Sequence, residues 1–237
     1  MMDLAGKKAL VFGGTSGIGL ATVEKLVAQG AQVVAISRDP SKAEGIESLA
    51  DVTLAACDVR DREQLSALFA EHAPFDVLIS AATGGERAAG PFLGMDLDAY
   101  QGSFDKLWGY TNVVRLGTEH LTEGGNIVLV SGSPARRGKP GQVALASVGA
   151  AVEQFVRVVA PEIAPKRINV VSPGVISTPM FGGDVEKRDQ MLAGATANHL
   201  ISRPGQADEV ADGIMFVVQN EFVTGTTIDV DGGWLLS

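Results

Sequence analysis

Lys8-Ala9-Leu10-Val11-Phe12-Gly13-Gly14-Thr15-Ser16-Gly17-Ile18-Gly19 decides how this chain is read. Residues 8–12 form a short apolar run that reads as a strand. A helix-period segment follows from Ile18 to Gln29 and is stopped by Gly30. Between them Gly13, Gly17 and Gly19 stand at the spacing G-x-x-x-G-x-G. A glycine turn in that place lets the backbone fold tightly and come close to a pyrophosphate. The helix start beyond it offers unpaired N–H groups and a positive dipole end.

The same alternation continues down the chain. Strands are expected at 32–36, 53–56, 76–79, 126–130, 167–171 and 227–230. Helices are expected at 62–72, 97–121 and 144–161. Strands that are apolar throughout and separated by helices imply a parallel sheet covered on both faces. No linker or repeat divides the sequence. The expectation is α/β: one Rossmann-type, doubly wound domain over residues 1–237, with about seven strands.

Composition narrows the partners. The chain has 237 residues, 46% hydrophobic and 20% charged, enough for a large buried core. A formal net charge of −9 argues against nucleic acid or an anionic membrane surface. One cysteine, Cys57, and three scattered histidines provide neither a disulfide nor a metal-ligand spacing. The N-terminus shows no signal-peptide pattern, and no apolar stretch is expected to approach the ~20 residues of a membrane span. A cytoplasmic protein is expected.

Several motifs in order give the chain a resemblance to the short-chain dehydrogenase/reductase family over nearly its full length. Phe12-Gly13-Gly14-Thr15-Ser16-Gly17-Ile18-Gly19 is similar to the family's T-G-x-x-x-G-[IL]-G, with Phe12 in place of Thr. Asp58, followed by Val59, matches the Asp that meets the adenine ring. Ser80-Ala81-Ala82-Thr83 stands where N-N-A-G is usual. Pro173-Gly174 and Ile176-Ser177-Thr178 match the stretch that holds the nicotinamide carboxamide, and Val230-Asp231-Gly232-Gly233 the C-terminal strand region. The resemblance implies oxidoreduction with a nicotinamide cofactor bound by these residues. It also implies a homodimer or homotetramer packed through the small-residue helix that carries Phe155 and Val159.

Strand two ends in Ser37-Arg38, where relatives that prefer NAD place a carboxylate against the ribose. A neutral Ser37 followed by a guanidinium suits a 2′-phosphate, with Lys42 adding charge, so NADP(H) is expected.

The resemblance also exposes a gap. Family members protonate the substrate oxygen with a Tyr, assisted by a Lys four residues later, a Ser and an Asn. Here Leu145 falls at the Tyr position, Gly149 at the Lys, Gly132 at the Ser and Lys106 at the Asn. The two tyrosines of the chain, Tyr100 and Tyr110, are not followed by a Lys four residues on. Lys106 is the candidate replacement acid, with Tyr110 one helical turn further on and Ser131 or Ser133 holding the substrate oxygen. Tyr110 and Trp108 read more readily as packing residues than as catalysts, and His199 as a surface residue. The expected reaction is reduction or oxidation of a small carbonyl, alcohol or imine under an apolar lid spanning about 179–200. The alternative is an NADP(H)-binding sensor or regulatory protein without turnover.

Overall fold

The computed structural model describes residues 1–43, 45–46, 49–83, 85, 87–182 and 184–237. Seven strands form one parallel sheet: β1 (Lys8–Phe12), β2 (Gln32–Ser37), β3 (Val52–Ala56), β4 (Phe75–Ser80), β5 (Leu121–Val130), β6 (Arg167–Pro173) and β9 (Thr227–Val230). Their order is β3-β2-β1-β4-β5-β6-β9. Two short strands, β7 (Ile176–Ser177) and β8 (Gly205–Gln206), pair separately.

Alternation along each strand separates two cores. Leu10 and Phe12 of β1 join Phe69, Tyr110, Val113, Val152 and Val156 on one face. That face is covered by α2 (Arg62–His72), α4 (Asp105–Gly117) and α5 (Val143–Ile163). Ala9 and Val11 join Val23, Leu26, Val210 and Ile214 on the other, under α1 (Gly17–Ala28) and α7 (Ala207–Gln219). β6 is buried at every residue, as a strand covered on both faces must be.

Several sequence expectations change here. The helix expected over 97–121 is two helices, α3 (Leu97–Gly102) and α4. The break falls where Gly102 weakens the helix and Ser103, still αR in its backbone, turns its side chain to two backbone groups. Its hydroxyl donates to the Ala99 carbonyl and accepts from the Ala88 N–H, both at 2.9 Å. Leu121, assigned to the helix, instead pairs with Phe75 in the sheet.

Helix α7 went unread, although Val210, Ile214 and Val217 recur at helical spacing and Glu209 accepts from the Gln206 N–H at 2.8 Å. Helix α5, with 21 residues and a mean hydropathy of 1.6 over its most apolar window, is long and apolar enough to cross a membrane by that measure. Its Val148, Val152 and Val156 are buried within the domain. Trp108, read as packing, is 62% exposed, whereas His199, read as a surface residue, is 7% exposed and stacks on Trp234 at 5.5 Å between ring centroids.

The strand order reverses between β1 and β4, because β2 and β3 lie to one side of β1 and the later strands to the other. Open sheets of this kind have their crevice at the carboxyl ends of the two strands at that reversal.

Candidate active site

A cleft of about 460 Å³ opens at that reversal. Its floor is the turn after β1: Gly13, Thr15, Ser16, Gly17, Ile18 and Gly19. Gly13 and Gly17 hold φ of +76° and +52°, a region that strains any residue with a Cβ. A Cβ on Gly19 would fall 1.9 Å from the Gly13 carbonyl oxygen, so the turn and the first helical turn are locked together by the absence of side chains. Ser16 makes no capping bond and the first turn of α1 has no acidic side chain, which leaves the helix start free for an anion.

The far wall is built from β2, β3 and β4. Ser37, Arg38, Asp58, Val59, Ala81 and Ala82 all line the cleft. The Ser37 hydroxyl is buried and has no hydrogen-bond partner among the described residues. A polar atom left in that state signals a missing ligand. Arg38 is exposed beside it. Lys42 is drawn to Asp39 at 2.9 Å. The Asp58 carboxylate is held by the guanidinium of Arg60 at 3.1 Å, and hydrogen bonding from Arg60 keeps it below the usual carboxylate range. Glycine turn, free helix start and orphaned Ser37 hydroxyl together fit a dinucleotide.

Thr178 closes the cleft from the β7 side, together with Pro179 and Met180. The Cβ position of Gly17 points across the gap to Thr178, 3.5 Å away. Pro173, Gly174 and Ile176 do not line it. Gly174 lies against Asp231, where a Cβ would meet the Asp231 carbonyl oxygen at 2.7 Å, and Ile176, the first residue of β7, is buried in the core.

A second, much smaller cavity of about 10 Å³ adjoins the cleft, and Thr83 lines both. Lys106, Leu145 and Gly149 meet there, with Ser131 and Arg87. Gly109 lets α4 approach closely enough to bring Lys106 in, since a Cβ on it would lie 2.5 Å from Val59 Cγ2. The Lys106 ammonium is 3.4 Å from the Ser131 carbonyl oxygen and 5.4 Å from the Tyr110 ring centroid. Burial, and then the positive charge of Arg87, push its pKa down to about 7.

The other candidates are turned toward protein. The Tyr110 hydroxyl donates to the Val130 carbonyl at 3.0 Å inside the core, and burial raises its pKa. Ser131 donates to Glu153 at 3.1 Å, and Ser133 to the Pro173 carbonyl at 3.2 Å. Glu153, 2% exposed, also receives Arg136, which reaches on to Asp229.

Arg87 went unnoticed in the sequence, because it stands alone in a loop with no motif around it. The lid expected over 179–200 contains a helix, α6 (Val185–Thr196), tied to β7. Arg188 donates to the Ser177 hydroxyl at 2.7 Å and to the Gly182 carbonyl at 2.8 Å, and Ser177 in turn donates to Asp189. Gly183, part of the expected lid, lies outside the described residues.

Residues 13–235 match the family described as enoyl-(acyl carrier protein) reductase. L-xylulose reductase of Bos taurus is 31% identical, with 99% of this chain and 98% of that protein covered. D-erythrulose reductase of Gallus gallus is 28% identical across 100% of this chain and 98% of its own length. A solved small-chain dehydrogenase in complex with NADPH superposes with a TM-score of 0.86 at 31% identity, covering 98% of this chain and 100% of that one. The motif order, the parallel sheet with its cleft, and these likenesses agree: the chain belongs to the short-chain dehydrogenase/reductase family and is an oxidoreductase.

Proposed function

We propose that the chain is an NADPH-dependent reductase of a small carbonyl compound in which Lys106, not a tyrosine, supplies the proton. The observation that carries this reading is the buried Lys106 ammonium, in a cavity that adjoins the cofactor cleft through Thr83. A pKa of about 7 suits a group that must both hold and release a proton near neutrality.

When bound, the cofactor supplies the hydride that reduces the carbonyl carbon. The glycine turn and the start of α1 hold the pyrophosphate, Ser37 and Arg38 the 2′-phosphate end, and Thr178 the nicotinamide end. As the carbonyl π pair moves onto oxygen, Lys106 gives that oxygen its proton, and solvent reprotonates the amine. Leu145 makes one wall of the pocket apolar. Helix α6 serves as the lid, with Met180, Phe181 and Met191 presenting exposed apolar surface. The exposed Trp108 of α4 and Val158 of α5 support a homodimer or homotetramer formed through those helices.

The test is NADPH oxidation with L-xylulose, D-erythrulose and other small ketones, beside Lys106→Ala. Turnover lowered by about 10²-fold with NADPH affinity kept supports the reading. Wild-type turnover in the variant removes Lys106 from the reaction.

One observation favours a second reading, an NADP(H)-binding protein without turnover. The cavity at Lys106 encloses only about 10 Å³, and the hydroxyls of Ser131 and Ser133 are already engaged. Tight NADPH binding with no oxidation across the carbonyl panel would select it.

A further inference from the structure

The cavity beside the cofactor cleft is cationic, and among the described residues no acid pairs with its charges. The other buried cations of the chain are satisfied. Arg167 donates to the carbonyls of Val217, Val218, Asn220 and Val223, and Arg188 to Ser177 and Gly182. Lys106, 7% exposed, reaches one carbonyl at the long distance of 3.4 Å. Arg87, exposed at the rim of the same cavity, has no hydrogen bond or ion pair among the described residues and repels Lys106.

The neighbouring acids among the described residues are engaged elsewhere. Asp105, next to Lys106 in the chain, pairs with Arg60 at 2.8 Å. Glu153, behind Ser131, is held by the Ser131 hydroxyl, Arg136 and Arg157. The remaining titratable group facing Lys106 is Tyr110, whose hydroxyl donates to Val130. In a protein with 28 acidic and 19 basic residues, two adjacent cations without a counterion among the described residues form a gap in the charge pattern. Lys106 is the buried member of the pair; an ammonium buried without a partner is unfavourable, and an anionic ligand removes the penalty.

Resting on the reductase reading above, we infer that the substrate is a small oxo acid, its carboxylate held by Arg87 and its carbonyl oxygen presented to Lys106. The guanidinium fork matches a planar carboxylate in two parallel hydrogen bonds. Arg87 stands at the rim, where the carboxylate enters last and the carbonyl first. A bound carboxylate also restores the proton on Lys106, so binding takes up a proton above the free Lys106 value of about 7.

Oxalate, which carries the charge and shape of a short oxo acid and cannot be reduced, is the binding probe. Calorimetry on the NADPH complex, about one pH unit above 7 and in two buffers of different ionisation enthalpy, reads affinity and proton uptake together. The expected result is binding with proton uptake, weakened about tenfold or more by Arg87→Ala, with the uptake abolished in Lys106→Met. Equal affinity in wild type and Arg87→Ala, or binding without proton uptake, overturns the inference. So does inorganic phosphate binding as tightly as oxalate.

Kinetics separates this inference from the reading beneath it. 2-Oxobutanoate should be reduced with a higher kcat/KM than the neutral hydroxyacetone, and Arg87→Ala should raise KM for the acid alone. Reduction of hydroxyacetone with no preference for the acid leaves the reductase reading standing and removes the oxo acid. Oxalate binding with proton uptake, but no NADPH oxidation by any carbonyl, removes the reductase reading and with it the oxo acid as substrate, leaving an anion site.

Discussion

Gly149 and Ala135 stand so close that a Cβ on the glycine would lie 3.0 Å from the Cβ of the alanine. Helix α5 is thereby seated against the short turn that follows β5. Gly149, which the motif order aligns with the assisting Lys of relatives, serves backbone packing here. Gly132 has no such constraint: its backbone is extended, and a Cβ there would meet Pro134 Cδ at 3.7 Å.

Restoring the family's residues should therefore be uneven. Gly149→Lys is expected to destabilise the fold by about 1–3 kcal/mol through overpacking, and Ala135→Gly to relieve part of that. Gly132→Ser should fit without loss. With Leu145→Tyr added, the combined variant should gain carbonyl reduction that no longer depends on Lys106. Thermal melts and NADPH oxidation check both halves. A Gly149→Lys variant as stable as wild type would show that the contact with Ala135 yields freely.

Lys106 makes stability depend on pH in an unusual direction. Its folded value of about 7 lies below the 10.5 of an ordinary lysine. Between those values the unfolded chain holds more protons than the folded one, so stability from this group rises with pH across that window. Below 7 the penalty for the buried charge is fully present. Lys106→Met should raise the melting temperature at pH 6, worth ~1–4 kcal/mol, and the gain should shrink towards pH 10. A gain that is constant with pH would mean the ammonium is not desolvated. As an acid, the same group should make kcat/KM of the wild type decline as pH climbs through about 7.

The cofactor cleft makes its own prediction. Arg38→Ala should weaken NADPH by about tenfold or more and leave NADH nearly unchanged. Gly17→Val should remove both, because the backbone there is held at φ +52° and the new side chain projects across the cleft towards Thr178. Fluorescence titration reads both affinities, and circular dichroism checks the fold. NADH binding as tightly as NADPH in wild type would remove the phosphate site from Ser37 and Arg38.

Helix α6 hangs from Ser177. Two consecutive lid residues, Arg188 and Asp189, both bond its hydroxyl, one residue before Thr178 on the cofactor cleft. Ser177→Ala should speed hydrogen exchange in 185–196 and raise KM for the carbonyl substrate more than it lowers kcat. Exchange confined to its wild-type rate would show that apolar contacts such as Leu192, not the latch, hold the lid.

The glycine turn and the Ser37-Arg38 wall of the cleft are legible in the sequence because each is local, whereas Pro173, Gly174 and Ile176, expected with them, do not line it. Gly13, Gly17 and Gly19 act through backbone conformation a few residues apart, and Ser37-Arg38 follows directly from the end of a strand. The helix break at Gly102-Ser103 is not legible in the sequence, because one partner of the Ser103 hydroxyl, the Ala88 N–H, lies 15 residues away. Helix α7 does carry its signal locally, in the helical spacing of Val210, Ile214 and Val217.

The sequence by itself determined the parallel sheet, the order of its elements and the glycine cradle, all consequences of short-range periodicity and of residues without side chains. Only the tertiary structure decided what became of the reacting end. Lys106 from α4 and Arg87 from the loop after β4 meet beside Leu145 and Gly149 from α5, although they are far apart along the chain. The charge state of Lys106 depends on how much water and which counter-charges its neighbours exclude or supply. Those are properties of packed surroundings, and no spacing within the sequence encodes them.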